Sequence, residues 1–225
     1  HLQCGDQPVA GGAVVRQHDV PGLLAADIVA AAPHLLEHVA VADVGPAHLD
    51  AGGPQGAAEA EPLSAGSSLV FVFSPLVGSP LTTSAKFAVV SKSPLTMRIN
   101  DSLASSGFAI AGKKTGFDAF VIVGAAATPT CLVIEPDGVR FHDATDLWGR
   151  TIPETSEALK SRLGPSFRTA AIGPAGENLV RFATISHDGR HAGRGGLGAV
   201  MGSKNLKAVA VRGDRLTGYA HPERL

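Results

Sequence analysis

Cysteine is almost missing from this chain: Cys4 and Cys131 are the only two in 225 residues. So far apart in sequence, they cannot form a Cys-x-x-Cys metal or redox pair, and both are expected to be reduced and unpaired. Long apolar runs are missing too. "LVFVF" at 69–73 and "AFVIVGAAA" at 119–127 fall well short of the roughly 20 residues that span a bilayer, so no membrane helix is expected. A net charge of −1 removes any general reason to bind nucleic acid or an acidic membrane surface, and any anion binding must be local. The chain opens on His1 rather than Met, without a basic region leading into an apolar stretch, which leaves the cytoplasm as the expected compartment.

Aromatic residues make up only 5% of the chain, and none stands between His1 and Gly66, where lysine is absent as well. Small cores lean on aromatic anchors, so this stretch is hard to fold by itself. Its one helical pattern, "GLLAADIVAAAPHLLEHVAVA", is interrupted by Pro33. His34 and His38 stand at i,i+4 spacing, yet no Glu-x-x pattern of a zinc protease lies between them and a third ligand is missing, so no metal site is assigned there. Residues 1–60 are left unassigned, as a disordered segment or the product of a shifted reading frame in GC-rich DNA.

From Leu69 onward the text is that of a folded protein, and a hydrophobic content of 44% with mean hydropathy +0.17 supplies a core. Strands are predicted at 69–73, 87–92, 119–123, 131–134, 168–172, 180–185 and 207–211, each short, rich in β-branched residues or Phe, and bounded by Gly, Pro or Ser. "TIPETSEALKSRL" (151–163) predicts a helix: Thr151 caps it, Pro153 fits the first turn, and Glu154 completes a Thr-x-x-Glu capping box. Asp137-Gly138 predicts a hairpin turn, and Trp148 a core anchor.

An internal echo is the most informative feature. Residues 80–124 and 173–213 follow one plan: a basic residue, Phe and Ala open a strand (Lys86-Phe87-Ala88; Arg181-Phe182-Ala183), and a polar loop follows. The loop ends in small residues (Ser105-Ser106-Gly107; Gly195-Gly196), then come a short helix-like run and a strand closing on Gly124 or Gly213. Two copies of one unit imply a pseudo-symmetric domain whose two loops face one ligand. Small residues at a helix start uncover backbone N–H groups that attract phosphate, and Arg190 and Arg194 can add bidentate contacts, so two phosphate-cradling loops are expected. The competing reading is that the glycines serve tight turns.

Two familiar signatures carry less. "GRGGLG" (193–198) satisfies the dinucleotide fingerprint Gly-x-Gly-x-x-Gly, but "SHDGRHA" separates it from the preceding strand and the next strand ends in Val211-Arg212 rather than an acidic residue. "GFAIAGKK" (107–114) has Lys114 where a phosphate loop needs Ser or Thr, and is rejected. Asp101, Asp118, Glu177 and Asp188 lie near the loops without forming a carboxylate pair or a Ser-His-Asp arrangement.

The stretches "SPLTMRINDS", "GFDAFVIVG", "DLWG", "IGPAGENLVRFA" and "AGRGGLGAVMGSKNLKAVAVRG" closely resemble the N-terminal domain of the aldehyde ferredoxin oxidoreductases, over about Glu61 to Arg212. The resemblance implies an α+β fold of two pseudo-two-fold related β-sheets with a few short helices, serving as the base for a tungsten or molybdenum bis-pyranopterin. One pterin would lie over each loop, Asp101–Gly107 and Arg190–Gly196, with the phosphates meeting around Mg2+. The cofactor-binding residues so implied are Lys86, Asp101, Ser102, Leu103, Ser105, Arg190, His191, Arg194, Gly195 and Gly196. Lys86 stands where the family usually has Arg, keeping the charge but losing the fork. Leu103 stands where many members have Asn, and Ser105 and Ser106 replace two glycines.

The resemblance further implies an oxidoreductase that turns aldehydes into carboxylates and passes electrons through a [4Fe-4S] cluster to ferredoxin, in an arrangement that allows a homodimer. The cluster's Cys ligands and the acid/base residues belong to helical domains that follow in the family, so residues 61–213 are expected to be the cofactor-binding domain, 214–225 the start of a following domain, and this chain alone inactive. The alternatives are a noncatalytic structural or interaction domain, a pseudogene product, and a dinucleotide-binding protein using Gly193–Gly198.

Overall fold

A computed structural model of the chain describes the backbone of 39–43 and residues 60–216, 218 and 221. Most of the unassigned N-terminal segment, with Cys4, His34 and His38, lies outside the described residues. Eleven strands form two sheets: β1 (Val39–Asp43), β2 (Leu69–Phe73), β3 (Lys86–Lys92), β4 (Ile99–Ser105), β5 (Ala119–Val123), β6 (Thr130–Glu135), β7 (Gly138–Asp143), β8 (Arg168–Ala171), β9 (Ile185–His187), β10 (Arg190–Ala192) and β11 (Leu206–Val211). Among the described residues four short α-helices accompany these strands: α1 (Gly107–Lys113), α2 (Ile152–Leu163), α3 (Pro174–Glu177) and α4 (Leu197–Ser203).

The strand orders, β1-β5-β2-β3-β4 and β7-β6-β11-β8-β9-β10, superimpose. β1 pairs parallel with β5 as β6 does with β11, and every other corresponding neighbour is antiparallel. Thus β2 matches β8, β3 matches β9, β4 matches β10, and α1 and α4 occupy the same place in the connections β4-α1-β5 and β10-α4-β11. The expected pair of pseudo-two-fold related sheets is present, and β7 is the one strand without a counterpart.

The inner faces of both sheets and the two matching helices share one core. Phe71, Phe73, Phe87, Phe108 and Phe120 cluster within it, with Phe73 edge-on to Phe120 at 4.9 Å and Phe87 tilted against Phe108 at 5.2 Å. Each such pair adds about 0.5–1.5 kcal/mol to the burial of its rings. On the other face of the second sheet, α2 places Leu159 with Cys131, Leu147 and Ala208. Its start is as predicted: the Glu154 carboxylate accepts from the backbone N–H and the hydroxyl of Thr151 at 2.8 and 2.6 Å. Burial pushes the Cys131 thiol up to about 12, which makes it inert.

Four local expectations fail. Residues 180–184 form turns, not a strand, and Phe182 is 71% exposed, whereas Phe87 is in the core. The glycines of α4 dictate this. A Cβ at Gly198 would meet the Thr184 carbonyl oxygen at 2.5 Å, and one at Gly202 would overlap that of Gly176, so segment 176–184 lies backbone-to-backbone on the helix. The true counterpart of β3 is β9, and the echo is offset from Arg181-Phe182-Ala183 by several residues. The stretch read as a polar loop after Lys92 is largely β4, whose alternation is inverted: Asn100, Ser102 and Ala104 turn inward while Ile99, Asp101 and Leu103 face out. Finally, Trp148 is only half-buried, Leu147 takes the core position beside it, and the β6–β7 turn is Pro136-Asp137, one residue earlier than read.

Candidate functional site

The edge strands β4 and β10 meet where the two units face each other, so both predicted loops arrive at one place. The backbone N–H of Arg194 donates to Ser102 Oγ at 3.0 Å. Gly195 and Gly196 are left-handed, with φ of 73° and 70°. A Cβ at Gly195 would overlap the Asn100 carboxamide, and one at Gly196 the Arg181 carbonyl oxygen. Here glycine is required by both backbone sign and space.

A second set of contacts joins the units. β9 and β10 close through Asp188-Gly189, with φ of 46° and 73°, opposite the paired residues His187 and Arg190. These signs make a two-residue turn of the mirror-image type that suits strand twist. Asp188 Oδ2 accepts from the Phe108 backbone N–H at 2.9 Å, and Arg168 Nη1 lies 3.8 Å from Asp188 Oδ1. Ser106 Oγ also accepts from that N–H at 3.1 Å and lies 2.7 Å from His187 Nδ1. The other ring nitrogen, Nε2, is buried without a hydrogen-bond partner among the described residues. Burial between Phe87 and Phe108 holds the pKa of His187 down to about 4, against a smaller opposing effect of Asp188.

Two N–H groups of the cradle expected at the helix starts are already taken: that of Phe108 by Asp188 and Ser106, and that of Gly198 by the Ala183 carbonyl at 3.0 Å. Side-chain chemistry adds to what the rest of the loops can offer an anion. Arg190, His191 and Arg194 are exposed, and His191 Nδ1 lies 2.6 Å from Ser186 Oγ. Lys86 is half-buried at the start of β3, paired in register with Ser105; Asp101 and the 62% exposed Leu103 project from the same outer face. Ser102 is buried and serves the second loop through Arg194. Among the described residues no carboxylate pairs with Lys86, Arg190 or Arg194.

Asn100, His187 and Asp188 are the contributors that the sequence reading did not select. The Asp-Gly pair between "ISH" and "RHA" is the one signal that could have found the hairpin. Glu177, by contrast, is structural: it forms a buried ion pair with Lys207 and accepts from the Gly149 N–H at 2.8 Å. Asp118 pairs with Lys113. The Gly-x-Gly-x-x-Gly match follows an antiparallel edge hairpin rather than a parallel strand, and Gly193 has its nearest obstacle to a Cβ at 3.8 Å, so neither feature of a dinucleotide turn is present.

The family model described as aldehyde ferredoxin oxidoreductase, N-terminal domain, matches residues 52–213. The tungsten-containing aldehyde ferredoxin oxidoreductase of Pyrococcus furiosus is 42% identical over 166 residues, covering 73% of this chain and 27% of the relative. That of Pyrococcus abyssi is 46% identical over 159 residues, covering 69% and 26%. The WOR-like subunit of an aliphatic sulfonate oxidoreductase from P. furiosus is 37% identical over 167 residues, covering 68% and 26%. Among solved structures, a chain of the active site complex BamBC of benzoyl coenzyme A reductase, in complex with 1,5 dienoyl-CoA, superimposes with TM-score 0.72 at 39% identity, over 74% of this chain and 26% of that one. The chain thus spans about a quarter of the length of these relatives. Sheets, helices and sequence agree, and the chain belongs to the aldehyde ferredoxin oxidoreductase family through its N-terminal domain.

Proposed function

We propose that residues 61–213 are the base on which a tungsten or molybdenum bis-pyranopterin is held, in an enzyme that oxidises aldehydes to carboxylates and delivers the electrons through a [4Fe-4S] cluster to ferredoxin. The observation that carries this reading is the convergence of two pseudo-symmetric loops on one junction bearing Arg190 and Arg194, with no carboxylate of the described residues paired to either. The residues present fit such a group. Its phosphates are polyanions, and cationic side chains on rigid strands bind them without first breaking an internal ion pair.

In this reading Arg190 and Arg194 hold the phosphates of one pterin, with His191 beside them. Lys86, opposite Ser105 on β3 and β4, serves the other. Asp101, next to the buried Ser102, would be the carboxylate available to Mg2+. Gly195 and Gly196 seat the second loop on Asn100 and the Arg181 carbonyl, and Leu103 offers the ligand an apolar surface in place of a polar one. A bound metal would supply the two-electron chemistry, while this chain binds and orients the cofactor. An aldehyde substrate is favoured over a sulfonate or a thioester because the relatives named for aldehydes are 42–46% identical and the others 37–39%.

The test is the metal and pterin content of the purified protein. Tungsten or molybdenum with oxidised pterin fluorescence in the wild type, and loss of both in Arg194→Ala at unchanged thermal stability, is the expected result. A wild type that contains neither, produced in cells that load a known tungsten-pterin enzyme, overturns the proposal.

A further inference from the structure

The β9–β10 hairpin is the least supported part of the site. Each strand has three residues, β10 is an edge strand paired with β9 alone, and β9 is tied to β8 by only two register pairs, Ala170 with His187 and Ala171 with Ser186. Yet this hairpin carries Arg190 and His191. Its tip residue, Asp188, adopts a left-handed backbone that is unfavourable for most side chains but tolerated by Asp and Asn. The carboxylate reaches out of its own unit to the first turn of α1, where Oδ2 takes the Phe108 N–H at 2.9 Å and Oδ1 faces Arg168. The adjacent His187 grips Ser106, so two neighbouring residues of one unit hold the start of the helix that follows the other unit's loop.

We propose that Asp188 is a positioning residue: by anchoring the hairpin tip on α1 it fixes Arg190 and His191 against the first loop, so that the two loops present one preformed diphosphate-binding surface. This rests on the cofactor-base reading above. The same bond takes the Phe108 N–H out of reach of the ligand, which shifts the phosphates toward the arginines. An unanchored hairpin would have to be ordered by the ligand itself, at a cost in affinity.

Inorganic pyrophosphate is the probe, titrated into the purified protein while backbone amide signals are followed by NMR. In Asp188→Ala the signals of Phe108 and Arg190–Ala192 should move, those of β6 and β11 should stay, and pyrophosphate should bind about tenfold more weakly. Asp188→Asn keeps an acceptor oxygen and the left-handed backbone, and should restore both within about twofold. Where Asp188→Ala fails to fold, Asp188→Glu, which overshoots the contact, gives the same comparison. Hairpin signals unmoved in Asp188→Ala overturn the positioning role, whatever the affinity does. Equal binding of pyrophosphate by wild type and Arg194→Ala instead overturns the cofactor-base reading, and the hairpin signals then decide the role of Asp188 alone.

Discussion

The backbone N–H of Arg194 donates to Ser102 Oγ at 3.0 Å, a bond between residues 92 apart in the sequence. It locks the second loop to β4 from the side opposite the ligand face, since Ser102 is buried and the Arg194 side chain is exposed. Removing the hydroxyl leaves the N–H to find water in a space lined by Asn100 and Gly195. Ser102→Ala should therefore cost about 1 kcal/mol in urea unfolding. It should also speed hydrogen exchange at the Arg194 amide without affecting β11. An unchanged exchange rate at Arg194 would mean that the loop is held by its glycines instead.

The glycines of this region divide into those the fold requires and those it does not. A Cβ at Gly202 would overlap the Gly176 carbonyl oxygen, and α4 cannot retreat because Leu197, Val200 and Met201 hold it in the core. Gly202→Ala should destabilise by about 3 kcal/mol or more, the scale of an overpacked core. Gly193, with its nearest neighbours at 3.8 and 3.9 Å, should accept Ala within about 0.5 kcal/mol. Thermal melts of the two variants decide the matter. Equal losses would contradict the geometry.

The glycine pattern also explains what the sequence made legible. The echo between 80–124 and 173–213 was visible because both units need small residues before a seven-residue helix, at Ser105–Gly107 and at Gly195-Gly196. Strands with apolar residues on both faces, such as β6 and β11, were equally plain. β4 was hidden because its apolar residues face outward and its serine inward, which reverses the usual cue. Segment 180–184 was misleading for the converse reason: "LVRFAT" has strand composition, but the bare face of α4 draws its backbone into turns. At the site, the arginines and glycines could be selected by type. Asp188 and His187 could not, because their roles depend on contacts 80 and 81 residues away.

Met97 carries strain that can be relieved. The β3–β4 connection turns over Pro94 to Met97, with the Ser93 hydroxyl accepting from the N–H groups of Leu95 and Thr96, each at 3.1 Å. Met97 closes it with φ of 60°, a conformation that glycine adopts without cost. Its side chain is 47% exposed and contributes little packing. Met97→Gly should raise stability by about 1 kcal/mol, the scale of the left-handed penalty, and move the melting temperature up by a few degrees. A lower melting temperature would show that the thioether is packed in solution.

His187 sets a pH dependence whose sign follows from its environment. Its folded pKa is depressed to about 4 from an ordinary value of 6.5, chiefly by burial. Between these two values the unfolded chain binds a proton that the folded protein refuses, so stability is full above pH 6.5 and falls as the pH drops toward 4. A shift of this size corresponds to about 3 kcal/mol. The charged groups around the ring, Asp188 favouring its protonation and His191 and Arg190 opposing it, modify the depth of the effect without changing its sign. His187→Gln keeps a polar partner for Ser106 but does not titrate, so its urea midpoint should vary much less between pH 6.5 and 4.5 than that of the wild type. Parallel pH profiles for the two proteins would place the acid sensitivity elsewhere and show that the His187 ring is not buried as the structure has it.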